Sequence, residues 1–187
     1  MNSDSISRLT LSMFLRLTGY HIMSLIVTMS ILAFLPDVSG NFIAQAINLG
    51  IIIVLPYLTM WKKGDTDCNK VAFGHMQADN LKGLKIGLIA YAPCMICGLL
   101  LIAAKFGALP SSYLSWYRVI NAPFMPFNQS LMPTTLMFSE HSVAAVVVAG
   151  LTPVIEPLNL GLAYYFGLHR ISFSETFGIF KKEKIRE

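Results

Sequence analysis

The sequence has 187 residues, of which 55% are hydrophobic and only 13% are charged. A soluble domain usually carries about 25% charged residues, so the deficit of charge and a mean hydropathy of +0.60 indicate a membrane protein. The net charge of +4 is small, and the basic residues lie beside apolar segments. Contacts with lipid headgroups explain that placement better than binding to nucleic acid does.

Four stretches are apolar and long enough to cross a bilayer, which takes about 20 residues. They predict an all-α, polytopic transmembrane helical bundle that forms a single domain over residues 1–187. The first stretch ends at Pro36-Asp37 without a cleavage site, so we expect it to be retained as a signal anchor. The four predicted spans are residues 17–35, 42–61, 83–104 and 143–168.

The first three connecting segments differ in polarity. Residues 1–16 predict a cytoplasmic interfacial helix that leads into the first span. Residues 36–40 predict a short turn between two antiparallel helices. Residues 62–82 are the most polar internal segment and predict a cytoplasmic loop, with a short amphipathic helix capped by Asp65 or Asp67.

The segment 105–142 is almost free of charge but contains four prolines. We expect an external loop with short interfacial or re-entrant helices, because neither of its two apolar runs is long enough to span a bilayer. If both runs crossed, the number of spans would be six. The final segment, 169–187, predicts a basic cytoplasmic tail that contacts the anionic leaflet.

The distribution of basic residues predicts the orientation. All but two of the 14 lysines and arginines lie in the N-terminal segment, in residues 62–85 or in the tail, and only Lys105 and Arg118 lie elsewhere. These three basic segments share one side of the membrane only if an even number of spans separates them. Four spans therefore place both termini in the cytoplasm, in a protein of the plasma membrane.

A carboxylate near the middle of the fourth predicted span is the most informative single residue. Glu156 lies between Pro153 and Pro157, and Asn159 follows. An ionised carboxylate at the bilayer centre costs about 2.5–3.5 kcal/mol, so Glu156 must face a partner or a cavity, or be protonated. The two prolines remove two backbone donors and predict a kinked or broken helix.

Two hypotheses follow for Glu156. Broken helices often build ion or substrate sites in transporters, which favours a proton or cation site. The alternative is a structural kink in which Glu156 bonds to a polar group of a neighbouring helix. Gln45 and Asn48 are the candidate partners, because they lie three residues apart on one face of the second span.

A Cys-x-x-Cys motif, Cys94 to Cys97, lies inside the third predicted span. In span number and in this motif the chain is similar to the four-helix, quinone-coupled disulfide-forming membrane proteins. That resemblance implies thiol exchange at Cys94 and Cys97. The family relays electrons to a second cysteine pair, and here the only other cysteine is Cys68. Apolar cysteines are more often inert packing residues.

No metal or cofactor site is predicted. Residues 65–69 resemble the opening of a calcium loop, but the required glycine and the final glutamate are replaced by Lys70 and Met76. Cys68, His75 and Asp79 do not complete a metal site. His21 and His169 are predicted at the inner interface, where most histidines are solvated. The chain has no serine-nucleophile signature and no phosphate-binding glycine loop.

Small residues at helical spacing predict close helix packing. Gly83 and Gly87 open the third span, and Ala145 and Ala149 lie in the fourth. Together with the lack of a catalytic set, they favour a non-enzymatic subunit of a homo- or hetero-oligomeric membrane assembly. The alternative is a secondary transporter or channel centred on Glu156. A membrane thiol oxidoreductase is the third possibility.

Overall fold

The computed structural model describes residues 6–171, and within that range all regular structure is helical. The prediction of an all-α fold is confirmed. Helix α1 (Ile6–Phe34) is uninterrupted, so most of the predicted interfacial segment and the first span form one helix. The chain turns at Pro36, and the carboxylate of Asp37 accepts the Gly40 N–H at 3.0 Å to begin the next helix.

The second apolar segment belongs to one helical rod of 35 residues, Val38–Ala72. It consists of α2 (Val38–Leu49), a π-helical turn (Gly50–Val54) and α3 (Leu55–Ala72). The π turn lies just before Pro56, which has no N–H to offer to the preceding turn.

The same helix corrects the prediction for residues 62–82. Residues 62–72 continue α3 and do not form a loop. No helix is capped by Asp65 or Asp67, since both residues lie inside α3. Local sequence suggested a cap there, because aspartate is favoured at such positions.

The third predicted span is two helices, α4 (Lys82–Ala90) and α5 (Ala92–Lys105). They meet at Tyr91 with a bend of 60°. Pro93 explains the position of the bend, since its ring removes the donor that would bond to Ile89 and disfavours a helical conformation for the preceding residue.

The segment 105–142 folds as a short helical hairpin. Helix α6 (Tyr113–Ile120) leads to a 3₁₀ turn (Ala122–Phe124), and α7 (Met125–Leu131) leads back. The turn contacts α1, and Ala122 and Phe124 are 1% and 2% exposed. The hairpin is therefore packed between other helices, with contacts to α1, α2, α5 and α8.

The last apolar segment contains α8 (Val143–Leu151), a 3₁₀ turn (Thr152–Val154) and α9 (Ile155–Leu168). The two prolines tighten the helix into the 3₁₀ turn, and the 26 residues from Val143 to Leu168 still form one rod. The predicted break is thus a local change of helical register.

Three of these helical rods are long and apolar enough to cross a membrane: Ile6–Phe34, Val38–Ala72 and Val143–Leu168. The bent pair α4–α5 makes a fourth if it is taken as one span.

The polar ends of these helices meet at one end of the bundle. The indole N–H of Trp61 donates to the Ile171 carbonyl oxygen at 2.9 Å, and the ammonium of Lys82 contacts Asp67 at 2.7 Å. Arg170 lies 3.6 Å from Asp65. The end of α3, the start of α4 and the end of α9 are therefore neighbours, while the α6–α7 hairpin packs at the other end. Residues 1–5 and most of the predicted basic tail, 172–187, lie outside the described residues.

The predicted small-residue motifs pack inside the molecule. Side-chain atoms added at Gly83 or Gly87 would strike α9, at Leu160 and Tyr164 or at Pro157. Ala149 is fully buried, and Ala145 packs against the same apolar cluster.

Candidate functional site

The carboxyl group of Glu156 lies in the centre of the bundle. Glu156 is in the first turn of α9 and is 0% exposed. Among the residues that the structure describes, neither of its carboxyl oxygens has a hydrogen-bond partner. Asn159 lies one turn further on, close enough to interact with the carboxyl group, but its amide donates to the Ile53 carbonyl oxygen at 2.9 Å. Glu156 is thus a buried acidic group without a fixed partner.

The prolines around Glu156 free main-chain oxygens, and one of these is already occupied. Pro153 has no N–H to donate to the carbonyl oxygen of Ala149, four residues earlier. That oxygen accepts the Thr152 hydroxyl at 2.7 Å and also the hydroxyl of Tyr117. The Ala149 oxygen is therefore not an open ligand for a cation.

The expected partnership of Glu156 with two amides of the second span is corrected by the structure. Gln45 accepts the Phe127 N–H at 2.9 Å and donates to the Pro123 carbonyl oxygen at 3.2 Å. Asn48 donates to the Thr28 hydroxyl at 2.8 Å. Gln45 thus binds the tip of the α6–α7 hairpin, and Asn48 joins α2 to α1. Both amides bond to groups other than the Glu156 carboxyl group.

His21 and Tyr91 form a hydrogen-bonded pair on the neighbouring helices α1 and α4–α5. The Tyr91 hydroxyl lies 2.8 Å from Nε2 of His21, and Nδ1 of His21 lies 2.8 Å from the Leu17 carbonyl oxygen. A carbonyl oxygen only accepts, so Nδ1 carries the proton. In the neutral ring, Nε2 then accepts from the Tyr91 hydroxyl. The thiol of Cys94 lies 3.8 Å from the same Nε2.

Glu156 and the His21–Tyr91 pair belong to one cluster. Both Tyr91 and Cys94 lie within electrostatic range of the Glu156 carboxyl group. The bend between α4 and α5 places them there, since Gly87 packs directly against Pro157. The cluster thus combines a carboxyl group, an imidazole, a phenol and a thiol at the break of one helix and the register change of another.

A cavity of about 200 Å³ borders this cluster between α1 and the bend. His21, Tyr91 and Cys94 line it, together with Thr18 and Phe14 of α1. Thr18 and Phe14 precede His21 on the helix and therefore lie towards the basic end of the bundle. The cavity extends along α1 from His21 to these two residues.

The two thiols of the Cys-x-x-Cys motif have different surroundings. Cys94 packs against the cluster of buried residues around Tyr91, and Cys97 against the cluster around Tyr117. Both are free cysteines in the structure. Within residues 6–171, no group of three or more metal-ligating side chains is close enough to hold a metal ion.

Sequence reasoning identified Glu156 and Asn159 but missed His21 and Tyr91. His21 was predicted to be a solvated interfacial residue, and in the structure it is half-buried and bonded. The sequence did contain a signal for their proximity, since His21 follows the basic residue Arg16 by about the same number of residues as Tyr91 follows Lys85. That spacing puts both residues at a similar depth from the basic end.

The comparisons with known proteins add no relative. No family model matches the sequence, and no curated protein or solved structure matches it.

Proposed function

We propose that the chain is an integral protein of the plasma membrane with four spans and both termini in the cytoplasm. Three helical rods have the required length and composition, and the bent pair α4–α5, about 36 Å along its axis at 1.5 Å per residue, spans about 30 Å from end to end because of its 60° bend. A hydrocarbon core of about 30 Å is thus within its reach. Clustering of the basic helix ends at one end of the bundle supports the orientation. A reporter fused to the C-terminus tests it, and an external C-terminus contradicts it.

We propose further that the protein is a secondary transporter or channel whose proton or cation site is Glu156. The observation that carries this proposal is a fully buried carboxyl group whose oxygens have no hydrogen-bond partner within residues 6–171. An acidic group in the bilayer interior must be neutralised, either by its own proton or by a bound cation. The proline-tightened helix, the bent helix and the α6–α7 hairpin around it resemble the irregular backbone that lines transport sites.

The proposed step is an exchange of a single positive charge. A proton that arrives through the cavity beside His21 binds the Glu156 carboxylate, and its departure regenerates the carboxylate. The hydrogen bond between the Tyr91 hydroxyl and Nε2 of His21, 2.8 Å long, lies at the wall of that cavity and would pass the proton towards Glu156. No covalent bond other than O–H or N–H forms or breaks, so the step needs no oxidant and no co-reactant.

The test is flux in vesicles that contain the purified full-length protein and a trapped pH indicator. With an imposed membrane potential, we expect proton entry above that of protein-free vesicles and at least a tenfold loss in Glu156→Gln. Glu140→Gln is the matched control, because Glu140 is exposed and outside the cluster. A second arm replaces the pH indicator with sodium and potassium indicators. Equal flux of all three ions in Glu156→Gln and in the unaltered protein contradicts the proposal.

A second candidate function is a non-enzymatic subunit of a membrane assembly. The observation that favours it is the outer surface of α1 and of the π-helical turn after α2, where a Cβ atom added at Gly19 or Gly50 would meet nothing within 4 Å. Only 17% of the residues in the most apolar stretch of α1 are buried, against 44% in the corresponding stretch of α8–α9. Outward-facing glycines allow another helix to approach closely. Copurification and crosslinking in native membranes test this, with Gly19→Leu expected to disrupt the assembly; a strictly monomeric protein excludes it.

A further inference from the structure

A large cavity opens at the end of the bundle opposite the basic helix ends. Its volume is about 780 Å³, within the range of about 300–1,000 Å³ that small-molecule sites usually have. The end of α5, the helix α6 and residues 134–139 form its walls. Glu156 is not among the lining residues, so the cavity is separate from the site described above.

The cavity contains two basic side chains and no carboxylate. Lys105 and Arg118 both line it. They are the two basic residues that the sequence keeps apart from all the others. Two isolated cations on one concave surface favour a positive potential there, which the Glu140 carboxylate, bonded to the N–H of the wall residue Met137 at 2.7 Å, offsets in part.

Arg118 is built into the wall of this cavity with part of its hydrogen-bonding capacity unused. The residue is only 8% exposed. Its Nη2 group donates to the Met132 carbonyl oxygen, while Nε is buried and has no partner among the described residues. Nε is covered by the protein itself, so an acceptor in the cavity would meet the part of the guanidinium group that lines it. The planar fork of arginine matches the oxygens of a carboxylate or a phosphate.

The ammonium group of Lys105 is fixed by two main-chain carbonyl oxygens. It donates to the carbonyl oxygens of Ser139 and His141, at 2.8 and 2.6 Å. An ammonium has three donors, so one remains after these two bonds. Hydroxyl groups supply further donors around the cavity, on the side chains of Ser111, Ser112, Ser115, Thr134 and Ser139.

We propose that this cavity binds a small oxyanion, a carboxylate- or phosphate-bearing solute, at the end of the bundle opposite the basic helix ends. Arg118 meets the oxyanion with the part of its guanidinium group that lines the cavity, Lys105 supplies the second positive charge, and the hydroxyl groups bond to the remaining oxygens. This inference goes beyond the proposed role of Glu156 and does not depend on it.

Binding of two defined probes to the purified full-length protein in detergent tests the proposal. Inorganic phosphate and succinate are titrated separately by isothermal calorimetry, at an ionic strength held constant with sodium chloride. We expect saturable binding of at least one probe. Preference for phosphate assigns a phosphate-bearing ligand, and preference for succinate a carboxylate-bearing one. The proposal fails if neither probe binds above the chloride background.

The variants separate binding from folding. Arg118→Lys keeps the charge but loses the fork, and Lys105→Met loses a charge; each should weaken binding about tenfold or more. Lys62→Met is the matched control, because Lys62 is an exposed lysine at the opposite end, and its affinity should stay within twofold. If Arg118→Lys does not fold, the double variant Ser115→Ala/Thr134→Val replaces it, with an expected loss of threefold or more. Unchanged affinity in the variants that fold overturns the proposal.

Glu156→Gln distinguishes this inference from the proposed transport function. It should bind the oxyanion as the unaltered protein does, since Glu156 is outside the cavity. Loss of oxyanion binding in Glu156→Gln would contradict the separateness of the two sites.

Discussion

The Tyr117 hydroxyl donates to the carbonyl oxygen of Ala149, the oxygen that Pro153 leaves without its helical donor. Tyr117 is on the α6–α7 hairpin and Ala149 is in the long C-terminal rod. The hairpin thus adds a donor to an oxygen that otherwise accepts from the backbone N–H and the hydroxyl of Thr152. The Thr152 hydroxyl shares the same acceptor at 2.7 Å.

We expect Tyr117→Phe to lower the free energy of unfolding by about 1 kcal/mol, because a buried hydrogen bond is lost while Thr152 still satisfies the acceptor. For a chain of this size that corresponds to a fall in Tm of roughly 2–4 °C, measured by thermal unfolding in detergent. Tyr165→Phe is the control, since Tyr165 is 40% exposed and its hydroxyl has no partner among the described residues. Equal Tm values for the two variants would refute the role of this bond.

The buried carboxylate of Asp67 holds three helices together at the basic end. It is 0% exposed and contacts the ammonium of Lys82 at 2.7 Å and the hydroxyl of Tyr164 at 3.0 Å. Asp67→Asn should lower the free energy of unfolding by about 3–5 kcal/mol, because it removes the carboxylate that is hydrogen-bonded to the buried Lys82 ammonium and leaves only the electrostatic attraction of the more distant Asp79 among the described residues. Unfolding in denaturant measures this loss.

Two variants control for the loss of a charge alone. Asp79→Asn removes an exposed partner of Lys85, at 2.8 Å, and should cost less than about 1 kcal/mol. The double variant Asp67→Asn/Lys82→Met removes both members of the buried pair and should be more stable than Asp67→Asn alone. If Asp67→Asn and Asp79→Asn are equally destabilised, Asp67 does not have the role described.

Local sequence predicts the helices of this protein better than their ends. Apolar length identified the four segments, and prolines identified the register change at Pro153. The course of α3 was missed because Asp67 has the residue type of a helix cap, whereas its partner Lys82 lies 15 residues further on. A bond between two helices leaves no periodic signal in either of them.

The candidate site shows the same limit. Glu156 was found because a carboxylate in an apolar segment is costly wherever the segment packs. His21 and Tyr91 were missed because a histidine near a basic residue and a tyrosine near a proline are each ordinary. Their relation exists only through the bend at Tyr91, which brings a hydroxyl 2.8 Å from Nε2 of the histidine.

Gly64 permits close contact between α3 and α9. A Cβ atom there would collide with main-chain atoms of Tyr164, Gly167 and Leu168. Gly64→Ala should therefore destabilise the protein by about 1–3 kcal/mol, the usual cost of overpacking. Gly19→Ala is the matched control, since nothing lies within 4 Å of its Cβ position and alanine is the better helix former. That control should gain up to about 1 kcal/mol. Changes of the same sign in denaturant unfolding would contradict this account.

Stability in mild acid should depend on His141, in the turn before α8. Burial, and then the positive charges of Arg118 and Lys105, hold the pKa of His141 below its ordinary value. In the unfolded chain the pKa returns to about 6.5. The unfolded state therefore binds more protons as the pH falls below that value, and the contribution of His141 to stability, complete at higher pH, is lost.

The measurement is the difference in Tm between pH 7.5 and pH 5.5. His141→Gln should show a smaller difference than the unaltered protein, because glutamine takes up no proton. His75→Gln is the control, since His75 is exposed in the turn after α3 and its replacement should leave the difference unchanged. An unchanged pH dependence in His141→Gln would mean that neither burial nor the two cations lower the pKa of His141 in the folded protein. It would also weaken the case that Arg118 and Lys105 make the neighbouring cavity positive, so this result bears on the oxyanion site as well.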